Sequence, residues 1–543
     1  MTRLRPATVA RGYGAAGPSA LSRHGAAGAA VVVALALVAG LALRLVRLDQ
    51  RPMHNDEANQ AIKFGGLLDR GEYAYDAFDH HGPTLYYLTL PVAWLRGQTR
   101  LAATDEWTLR SLPVAFGAAT ILLLPLLSGG IGRPAVAAAA VLMAVSPGMV
   151  FYSRMYIQES MFACFALGFA IALGRALTDG GWRWPALAGL AAGLAIATKE
   201  TSAIVIPVSL VACGLASWSL GTARPAVTPP RQQRRTAVLV GLGTCVLVAV
   251  LFYSAFLTRP GDLLGPLRAA PTYFERGVDP ADHVHPWHYY LSLLGWSSSG
   301  GLSWTEALIL VLAAVGLVTS WLKADPAQPA AAFWRRYLTA NAVLSLAIFS
   351  AIPYKTPWNL LPFHAATIVA AGIGFSALAR ATASRAVPVL LWALLAVGSV
   401  HLGWQAWRAS VVYAADPRNP YVYSQTVPDA VRMAARIRDL AALHADRDDM
   451  LVQVIATPHE QWPLPWYLRK MKQVGYWTTA ADVPALDAPV IVASMDNSEA
   501  VDAALGDRYV SEFFGVRPDV LVTLYIERGL WERFLARTAL GGP

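Results

Sequence analysis

The sequence has few charged residues and very few cysteines. Only 15% of its 543 residues are charged, whereas 55% are hydrophobic, and the mean hydropathy is +0.41. A soluble domain carries about 25% charged residues, so this composition favours a protein whose main solvent is lipid. Its three cysteines each lie inside an apolar run and no C-x-x-C occurs, which argues against a disulfide framework and a zinc–thiolate site.

The positive net charge does not indicate a nucleic-acid partner. The formal net charge is +9, but most of the arginines stand in short links between apolar runs. Membrane orientation requires basic residues at such places, because the cytoplasmic loops of membrane proteins are enriched in Lys and Arg. We therefore expect no nucleic acid, and we expect membrane lipid as the main surroundings of the chain.

Long apolar runs dominate residues 26–406. A spanning helix needs about 20 mainly apolar residues. About eleven stretches have this character: 26–47, 108–128, 134–152, 158–177, 185–199, 202–220, 236–257, 305–322, 337–352, 360–379 and 387–406. The first run ends in Arg44 and Arg47 rather than in a small-residue cleavage site, so we interpret it as a retained signal anchor. Residues 1–25 before it predict a disordered cytoplasmic tail.

The charges between these stretches predict an orientation. With the N-terminus in the cytoplasm, the inner links hold many Arg and Lys residues and the short outer links hold fewer, as the positive-inside rule requires. Two outer loops are long, 48–107 and 258–304, and loops of such length tend to be functional. An odd number of spans places residues 407–543 outside. We expect a multi-pass protein of the plasma membrane.

Residues 407–543 differ in character from the rest. Charges become more frequent, and the apolar runs shorten to Leu451–Ala456, Pro489–Ala493 and Val520–Ile526, which are typical of buried strands. The stretch Val427–His444 has a helical pattern. The sequence therefore predicts a small extracytoplasmic α/β domain after an α-helical polytopic membrane domain.

The first outer loop begins with an acidic pair, Asp56 and Glu57, directly after the first span. Carboxylates at this level are costly unless they are exposed or used. The functional interpretation makes Asp56 a general base for an attacking hydroxyl, with Glu57 binding a sugar hydroxyl or orienting a partner. The alternative is a solvated helix start, since Asn55 and Asp56 are good capping residues.

The same loop continues with a motif rich in histidine and tyrosine. His80 and His81 are adjacent, so they point in different directions and make a poor metal pair by themselves, and a plain turn before a helix is the alternative. His81 and Tyr86 are candidates for substrate contact. The loop contains no D-x-D, so a divalent metal is possible as a cofactor but has no support from this motif.

The other outer links supply carboxylates and cations. They contain Arg154 and Glu159, Lys199 and Glu200, and Lys355 with Trp358. Arginine can hold a phosphate in bidentate fashion, so a role in binding substrate phosphate is one interpretation. The alternatives are a snorkelling Arg154 paired with Glu159, and interfacial anchoring by the lysines and Trp358.

The carboxylates and cations on the outer side of the membrane are suited to one type of reaction. A sugar on a polyprenyl-phosphate carrier keeps its lipid tail in the membrane, and attack on the sugar carbon expels a phosphate that cations stabilise. In-line displacement would invert the anomeric centre. No nucleotide-binding Gly-rich signature is present, which disfavours a soluble nucleotide-sugar donor. The acceptor would be a glycan, a lipid or a protein. A flippase component or transporter, and a scaffold without activity, are the alternative functions.

Several motifs together resemble a known family. The acidic pair after the first helix, the Arg-Glu outer link and about eleven helices look like the GT-C glycosyltransferases. Within this class, the chain is similar to family 39, the protein mannosyltransferase and aminoarabinose transferase group. The motifs at 54–57, 75–76, 81–83, 153–154, 199–200, 354–358, 421–426 and 462–469 look most like its Agl23-type branch.

The resemblance carries implications of its own. It implies that Asp56 is the catalytic base and that the donor is a polyprenyl-phosphate sugar. The Agl23-type branch has also been associated with lipid flipping, so the resemblance does not decide its activity. The metal-using oligosaccharyltransferase pattern is not matched, because the first loop has no D-x-D.

Overall fold

The fold has a long helical part followed by a part built on a β-sheet. A computed structural model describes residues 20–76, 81–221, 231–278, 283–322, 328–381, 383–384 and 386–539. Helices fill most of the chain up to residue 412, and a mixed sheet with flanking helices follows. The predicted tail 1–25 lies mostly outside the described residues, of which the first is Ala20.

All eleven predicted apolar stretches are helical. Their main helices are α1 (Ala20–Leu45), α4 (Glu106–Leu123), α6 (Arg133–Val145), α8 (Glu159–Thr178), α9 (Arg183–Ile196), α10 (Ser202–Ser219), α11 (Arg231–Tyr253), α14 (Ala307–Leu322), α15 (Pro329–Ala351), α16 (Leu361–Arg380) and α17 (Ala386–Trp407). Within the described ranges, seven helical segments are long and apolar enough to cross a membrane. The multi-pass helical fold is thus confirmed, whereas the count of eleven spans stays a prediction.

Two of the predicted spans are interrupted. After α4 the chain passes through a 3-10 turn into the short helix α5 (Ser128–Ile131). The predicted span 134–152 divides into α6 and α7 (Pro147–Tyr152). The cause is Pro147, because a proline disfavours the helical conformation of the residue before it. Ser146 stands between the two helices, and its hydroxyl accepts the backbone N–H of Met149 at 3.4 Å. This break puts polar groups at the end of α6, where an unbroken helix would have none.

Small residues allow the long helices to pack closely. At the crossing of α14 and α16, a Cβ on Gly374 would lie 1.9 Å from the carbonyl oxygen of Leu312, and one on Gly316 would lie 2.2 Å from that of Ala370. Only glycine permits such an approach of two backbones. Membrane helices use small residues in this way, since packing rather than the hydrophobic effect drives their association in lipid.

The two long loops contain helices of their own. Loop 48–107 forms α2 (Asn55–Arg70) and α3 (Thr84–Leu95), and the second loop forms α12 (Gly265–Val278), α13 (Tyr289–Gly295) and the antiparallel pair β1 (Ser297–Ser299) and β2 (Leu302–Trp304). Helix α2 begins with a capping box, in which His54 and Glu57 satisfy one another's backbone N–H groups. It ends at Gly71, which has a φ of 71°.

The C-terminal part forms a mixed five-stranded sheet. Its elements are α18 (Pro428–Ala441), β3 (Val452–Ile455), α19 (Leu464–Tyr467), β4 (Val474–Trp477), β5 (Val490–Ser494), α20 (Met495–Leu505), β6 (Tyr509–Arg517), β7 (Val520–Glu527) and α21 (Arg528–Ala539). The strand order is β4-β3-β5-β7-β6. Strand β3 is parallel to β4 and β5, and β7 is antiparallel to β5 and β6. The three predicted strands are therefore confirmed, and β4 and β6 are additional.

Candidate active site

The start of α2 is held by the side chain of its N-cap residue, His54. His54 Nδ1 accepts the backbone N–H of Asp56 at 3.1 Å, and His54 Nε2 lies 2.8 Å from the carbonyl oxygen of Tyr423. Because one ring nitrogen accepts and the other must donate, the imidazole is the neutral tautomer with its proton on Nε2. The side chain of Asp56 is 43% exposed. The helix start therefore presents the Asp56 carboxylate to the surroundings in a fixed position.

Glu57, the next residue, is fully buried. Its oxygens accept N–H groups of Arg51 at 3.2 Å and of Arg110 at 2.8 and 2.9 Å. They also accept the backbone N–H groups of His54 at 3.0 Å and Tyr156 at 2.8 Å. Burial alone would raise the pKa of Glu57, but the two guanidinium groups outweigh it and lower the pKa to about 2. In this structure the Glu57 oxygens are occupied inside the protein, and its role in binding a sugar hydroxyl or orienting a partner stays a prediction.

Arg154 is also committed to internal contacts. Its guanidinium donates to the carbonyl oxygens of Leu43 at 3.0 Å, Arg44 at 2.8 Å and Arg47 at 3.1 Å. These carbonyls belong to the end of α1 and the turn after it, where helix carbonyls need donors. Burial and the neighbouring guanidinium of Arg51 lower the pKa of Arg154 to about 9. Arg154 therefore caps α1 in this structure, and its binding of a phosphate stays a prediction.

Glu159 and Lys199 form a buried ion pair. Lys199 Nζ donates to Glu159 Oε1 at 2.5 Å and to Asn359 Oδ1 at 2.8 Å. Glu159 Oε2 is buried and has no hydrogen-bond partner among the described residues. An ammonium has three N–H donors, of which these contacts use two. The pair that the sequence predicted on separate links is thus brought together by α8 and the link after α9.

His81 and Glu200 form a second pair. His81 Nδ1 lies 2.7 Å from Glu200 Oε2, and the ring of Tyr273 stacks on His81 with centroids 6.3 Å apart. Two backbone hydrogen bonds hold the first loop here, one of them from Gly82 N to the carbonyl oxygen of Thr198 at 3.1 Å. Burial alone would raise the pKa of Glu200, but His81 lowers it. The carboxylate fixes the imidazole, whose side chain is 30% exposed.

Lys355 lies in the short segment before the 3-10 turn Pro357–Leu360. Its Nζ donates to the carbonyl oxygens of His285 at 2.9 Å and Ile352 at 2.5 Å. Burial lowers the pKa of Lys355. The side chain therefore joins the second outer loop to the segment before α16, with one N–H remaining beyond these two contacts.

Trp358 is the aromatic centre of the region. Its ring lies edge-on to His54 at 5.7 Å, to Tyr423 at 5.8 Å and to Tyr152 at 6.4 Å, measured between centroids. Such edge-to-face geometry is a favourable arrangement for aromatic rings. The indole thus packs against the residue that caps the helix of Asp56, and its chain neighbour Asn359 binds Lys199.

Tyr86 lies in the interior of the first loop. It is fully buried, its hydroxyl donates to Gln60 Oε1, and its ring packs on Tyr73 at 5.1 Å between centroids. These contacts hold α3 against α2. Packing inside the loop covers the whole side chain, and the substrate contact of Tyr86 stays a prediction.

The remaining predicted residues converge through contacts in series. His54 accepts the backbone N–H of Asp56 and packs against Trp358. Asn359, the next residue, accepts from Lys199, and Glu200, next to Lys199, binds His81. Four separate stretches of sequence, 54–56, 81–82, 199–200 and 355–359, therefore build one region. Among the described residues, no three His, Cys, Asp or Glu side chains are placed to hold a metal ion.

Residues of the C-terminal part contact the first outer loop, although no site role was predicted for them. Tyr423 binds His54, the amide of Gln425 donates to the carbonyl oxygen of Pro52 at 2.9 Å, and the hydroxyl of Tyr467 accepts from the backbone N of Met53 at 2.8 Å. The only signal in the sequence was the resemblance of the motifs at 421–426 and 462–469. Their contacts show that the C-terminal part is built onto the loop that carries Asp56.

A polar cluster at Glu306 was also not predicted. Glu306, fully buried before α14, accepts from the hydroxyl of Ser146 at 2.5 Å, the backbone N of Gly148 at 2.9 Å and the hydroxyl of Tyr421 at 2.7 Å. His364 Nε2 lies 3.0 Å from Glu306 Oε2, the oxygen that also accepts from Ser146. No local pattern in the sequence indicates this cluster. Glu306 lies at the edge of one apolar run and His364 inside another, 58 residues apart.

Known proteins share this architecture. Residues 89–227 match the family model described as dolichyl-phosphate-mannose-protein mannosyltransferase. Among solved structures, ArnT from Cupriavidus metallidurans bound to undecaprenyl phosphate has a TM-score of 0.59 at 16% identity, covering 93% of this chain and 99% of that chain. The archaeal oligosaccharyltransferase AglB from Archaeoglobus fulgidus, in complex with an inhibitory peptide and a dolichol-phosphate, has a TM-score of 0.54 at 14% identity, covering 93% and 77%. No curated protein matches the chain.

The class of the protein follows from these findings. The helical part and the C-terminal sheet together have the GT-C fold, and the matched segment points to the mannosyltransferase model. The chain shares the fold of these membrane transferases, and its residues 89–227 are similar to the mannosyltransferase model of family 39. The narrower resemblance to the Agl23-type branch stays a prediction.

Proposed function

We propose that the chain transfers a sugar from a polyprenyl-phosphate donor to an acceptor hydroxyl, with Asp56 as the general base. The observation that carries the proposal is the contrast within the acidic pair. Glu57 is buried under five donors, whereas the side chain of Asp56 is 43% exposed at the same helix start, whose N-cap His54 packs against Trp358. The donor class is supported by the family model and by the polyprenyl phosphates bound in the two similar structures.

The chemistry is a single displacement. The acceptor oxygen forms a bond to the anomeric carbon while the bond from that carbon to the phosphate oxygen breaks, and Asp56 takes the acceptor proton. The leaving phosphate gains negative charge, which His81 and the third N–H groups of Lys199 and Lys355 would stabilise. Attack from the face opposite the phosphate inverts the anomeric centre.

The proposed place of this reaction is the outer face of the plasma membrane. Arginine-rich links on the inner side support a cytoplasmic N-terminus, and the odd number of predicted spans then places residues 407–543 on the outer side. In that orientation α2, the 355–359 segment and the C-terminal sheet lie outside, where a carrier lipid can present its sugar without leaving the bilayer. The acceptor would be a glycan, a lipid or a protein on that side.

The test compares two substitutions of Asp on one helix. Membranes carrying the wild type, Asp56→Asn or Asp69→Asn at equal expression are given a polyprenyl-phosphate sugar labelled in the sugar. Asp69 is a matched control, because its Oδ1 accepts the backbone N–H of Leu101 at 2.7 Å and an Asn oxygen can do the same. We expect Asp56→Asn to reduce sugar release by at least about a hundredfold, the usual contribution of a positioned base.

The outcomes separate the parts of the proposal. Loss of release in Asp56→Asn with normal release in Asp69→Asn supports Asp56 as the base. Equal release in both variants would remove Asp56 from the mechanism. Release from no member of a panel of polyprenyl-phosphate sugars, by a folded wild-type protein, would contradict the donor class.

A further inference from the structure

The segment Asn419–Gln425, called the tail strap below, runs between the membrane helices and the C-terminal sheet. It begins at the buried Asn419, whose amide donates to the carbonyl oxygens of Ala409 and Tyr413, both at 3.0 Å. Just beyond it, the backbone N of Val427 donates to the carbonyl oxygen of Val516 in β6. The strap is therefore fixed at both ends.

The middle of the tail strap is anchored in the membrane domain. Tyr421 is 1% exposed, and its hydroxyl donates to Glu306 Oε1 at 2.7 Å. Its carbonyl oxygen accepts the hydroxyl of Tyr152 at 2.8 Å. Glu306 in turn binds Ser146 and Gly148 at the break between α6 and α7. A hydrogen bond to a buried carboxylate is a strong one, so this anchor restrains the strap.

The strap also contacts the start of α2, the helix that carries Asp56. The carbonyl oxygen of Tyr423, two residues after the anchor, accepts from His54 Nε2 at 2.8 Å, and Gln425 holds Pro52. A proton on His54 Nε2 leaves the lone pair of Nδ1 for the backbone N–H of Asp56. If the strap moved, the imidazole would lose the acceptor that selects this tautomer, and α2 would lose its side-chain cap.

We propose that the tail strap positions the Asp56 carboxylate, with Glu306 and Tyr421 as the positioning residues and His54 as the link. The inference rests on the proposed function, because it assumes that Asp56 acts on the acceptor. It assigns no chemical step to the strap. It explains why a C-terminal segment, and not only the loop itself, contributes the acceptor that fixes the N-cap of α2.

The first experiment measures the strap without any activity. Hydrogen–deuterium exchange of the first turn of α2 is compared in the full-length wild type, Tyr421→Phe and Tyr413→Phe in detergent. Tyr413→Phe is the control, since it removes a hydroxyl from the same tail and keeps the backbone carbonyl that Asn419 binds. We expect exchange in Tyr421→Phe to rise about tenfold, as loss of a hydrogen bond to a charged group implies, and to be unchanged in Tyr413→Phe. Unchanged exchange in Tyr421→Phe would overturn the proposal.

The second experiment asks whether the effect passes through the histidine cap. In His54→Asn the new side-chain oxygen can cap α2 by itself, because it reaches the first-turn N–H groups without help from the strap. Tyr421→Phe should therefore lower kcat for sugar release about tenfold in the wild type, with little change in KM, and should have no further effect on His54→Asn. Equal losses of kcat in both backgrounds would show a merely structural role and overturn the proposal.

The two experiments separate the strap from the proposed function. If the wild type releases no sugar, the proposed function fails, and the exchange measurement still decides whether the strap orders α2. If sugar release depends on Asp56 but Tyr421→Phe changes neither the exchange of α2 nor kcat, the proposed function is supported and the strap proposal fails.

Discussion

Replacing Glu57 by Gln keeps the shape of the side chain but removes the negative charge between two buried guanidinium groups. In the wild type, Glu57 accepts from Arg51, from two nitrogens of Arg110 and from two backbone N–H groups. A neutral amide can accept on its oxygen alone, and its NH₂ group would face donors. We expect Glu57→Gln to be a stability defect and not a defect of the chemical step.

The size of this defect can be worked out in two ways. Breaking one partner of a buried ion pair costs about 3–5 kcal/mol, because the other charge stays buried without compensation. Lowering the pKa of Glu57 from 4.5 to about 2 corresponds to about 3 kcal/mol in favour of the charged carboxylate. The two figures agree, so the substitution should remove a large share of the free energy of unfolding of the region around α2.

The assay measures unfolding and activity separately. Thermal unfolding of the detergent-solubilised protein is followed for Glu57→Gln and for Glu72→Gln, an exposed glutamate just after α2 that serves as the charge-matched control. Sugar release is then expressed per molecule that stays folded. We expect a clear fall in Tm for Glu57→Gln alone, with turnover per folded molecule within a few-fold of wild type. A wild-type Tm combined with lost turnover would refute the reasoning and return Glu57 to the catalytic residues.

Three further predictions concern the same region. Because the folded pKa of Glu57 is lowered, its stabilising effect is complete above about pH 4.5 and is lost as the pH falls towards about 2, so Tm should fall across this window less steeply in Glu57→Gln than in the wild type. Gly82→Ala should lose sugar release while the protein stays monodisperse, because the new Cβ would lie 2.1 Å from the carbonyl oxygen of Ala197 and push the first loop off its support. Lys199→Met should lower the free energy of unfolding by about 3–5 kcal/mol, and adding Glu159→Met should restore part of the Tm; no recovery would contradict the buried pair.

The sequence predicted the architecture where apolar residues form long or nearly continuous runs. Apolar runs long enough to span a bilayer are helical, and β3 and β5, which are buried along their whole length, were recognised as strands. Strands β4 and β6 are only partly buried and lie at the edges of the sheet, so they lack a continuous apolar run. The break at Ser146 follows from one proline, which a count of apolar residues does not register.

The sequence predicted the members of the site better than their roles. Asp56 and Glu57 are neighbours of similar chemistry, and the partner that separates them, Arg110, lies 53 residues away from Glu57. Phosphate binding is one interpretation of Arg154 because arginine can hold a phosphate in bidentate fashion, but the carbonyls that it contacts at the end of α1 lie about 110 residues earlier. Such roles depend on contacts between distant segments, and no local spacing encodes them.

The joining of the first outer loop to the C-terminal part has a consequence for biosynthesis. The bond between Met53 and Tyr467 spans 414 residues, and the bond between Glu106 and the indole of Trp466 spans 360. At a translation rate of about 5–20 residues per second, these partners of the loop are synthesised about 20 to 80 seconds after it. The helices of the nascent chain can therefore insert before the start of α2 has made its contacts with the C-terminal part. We expect a chain whose synthesis stops before these partners to remain in the bilayer without activity.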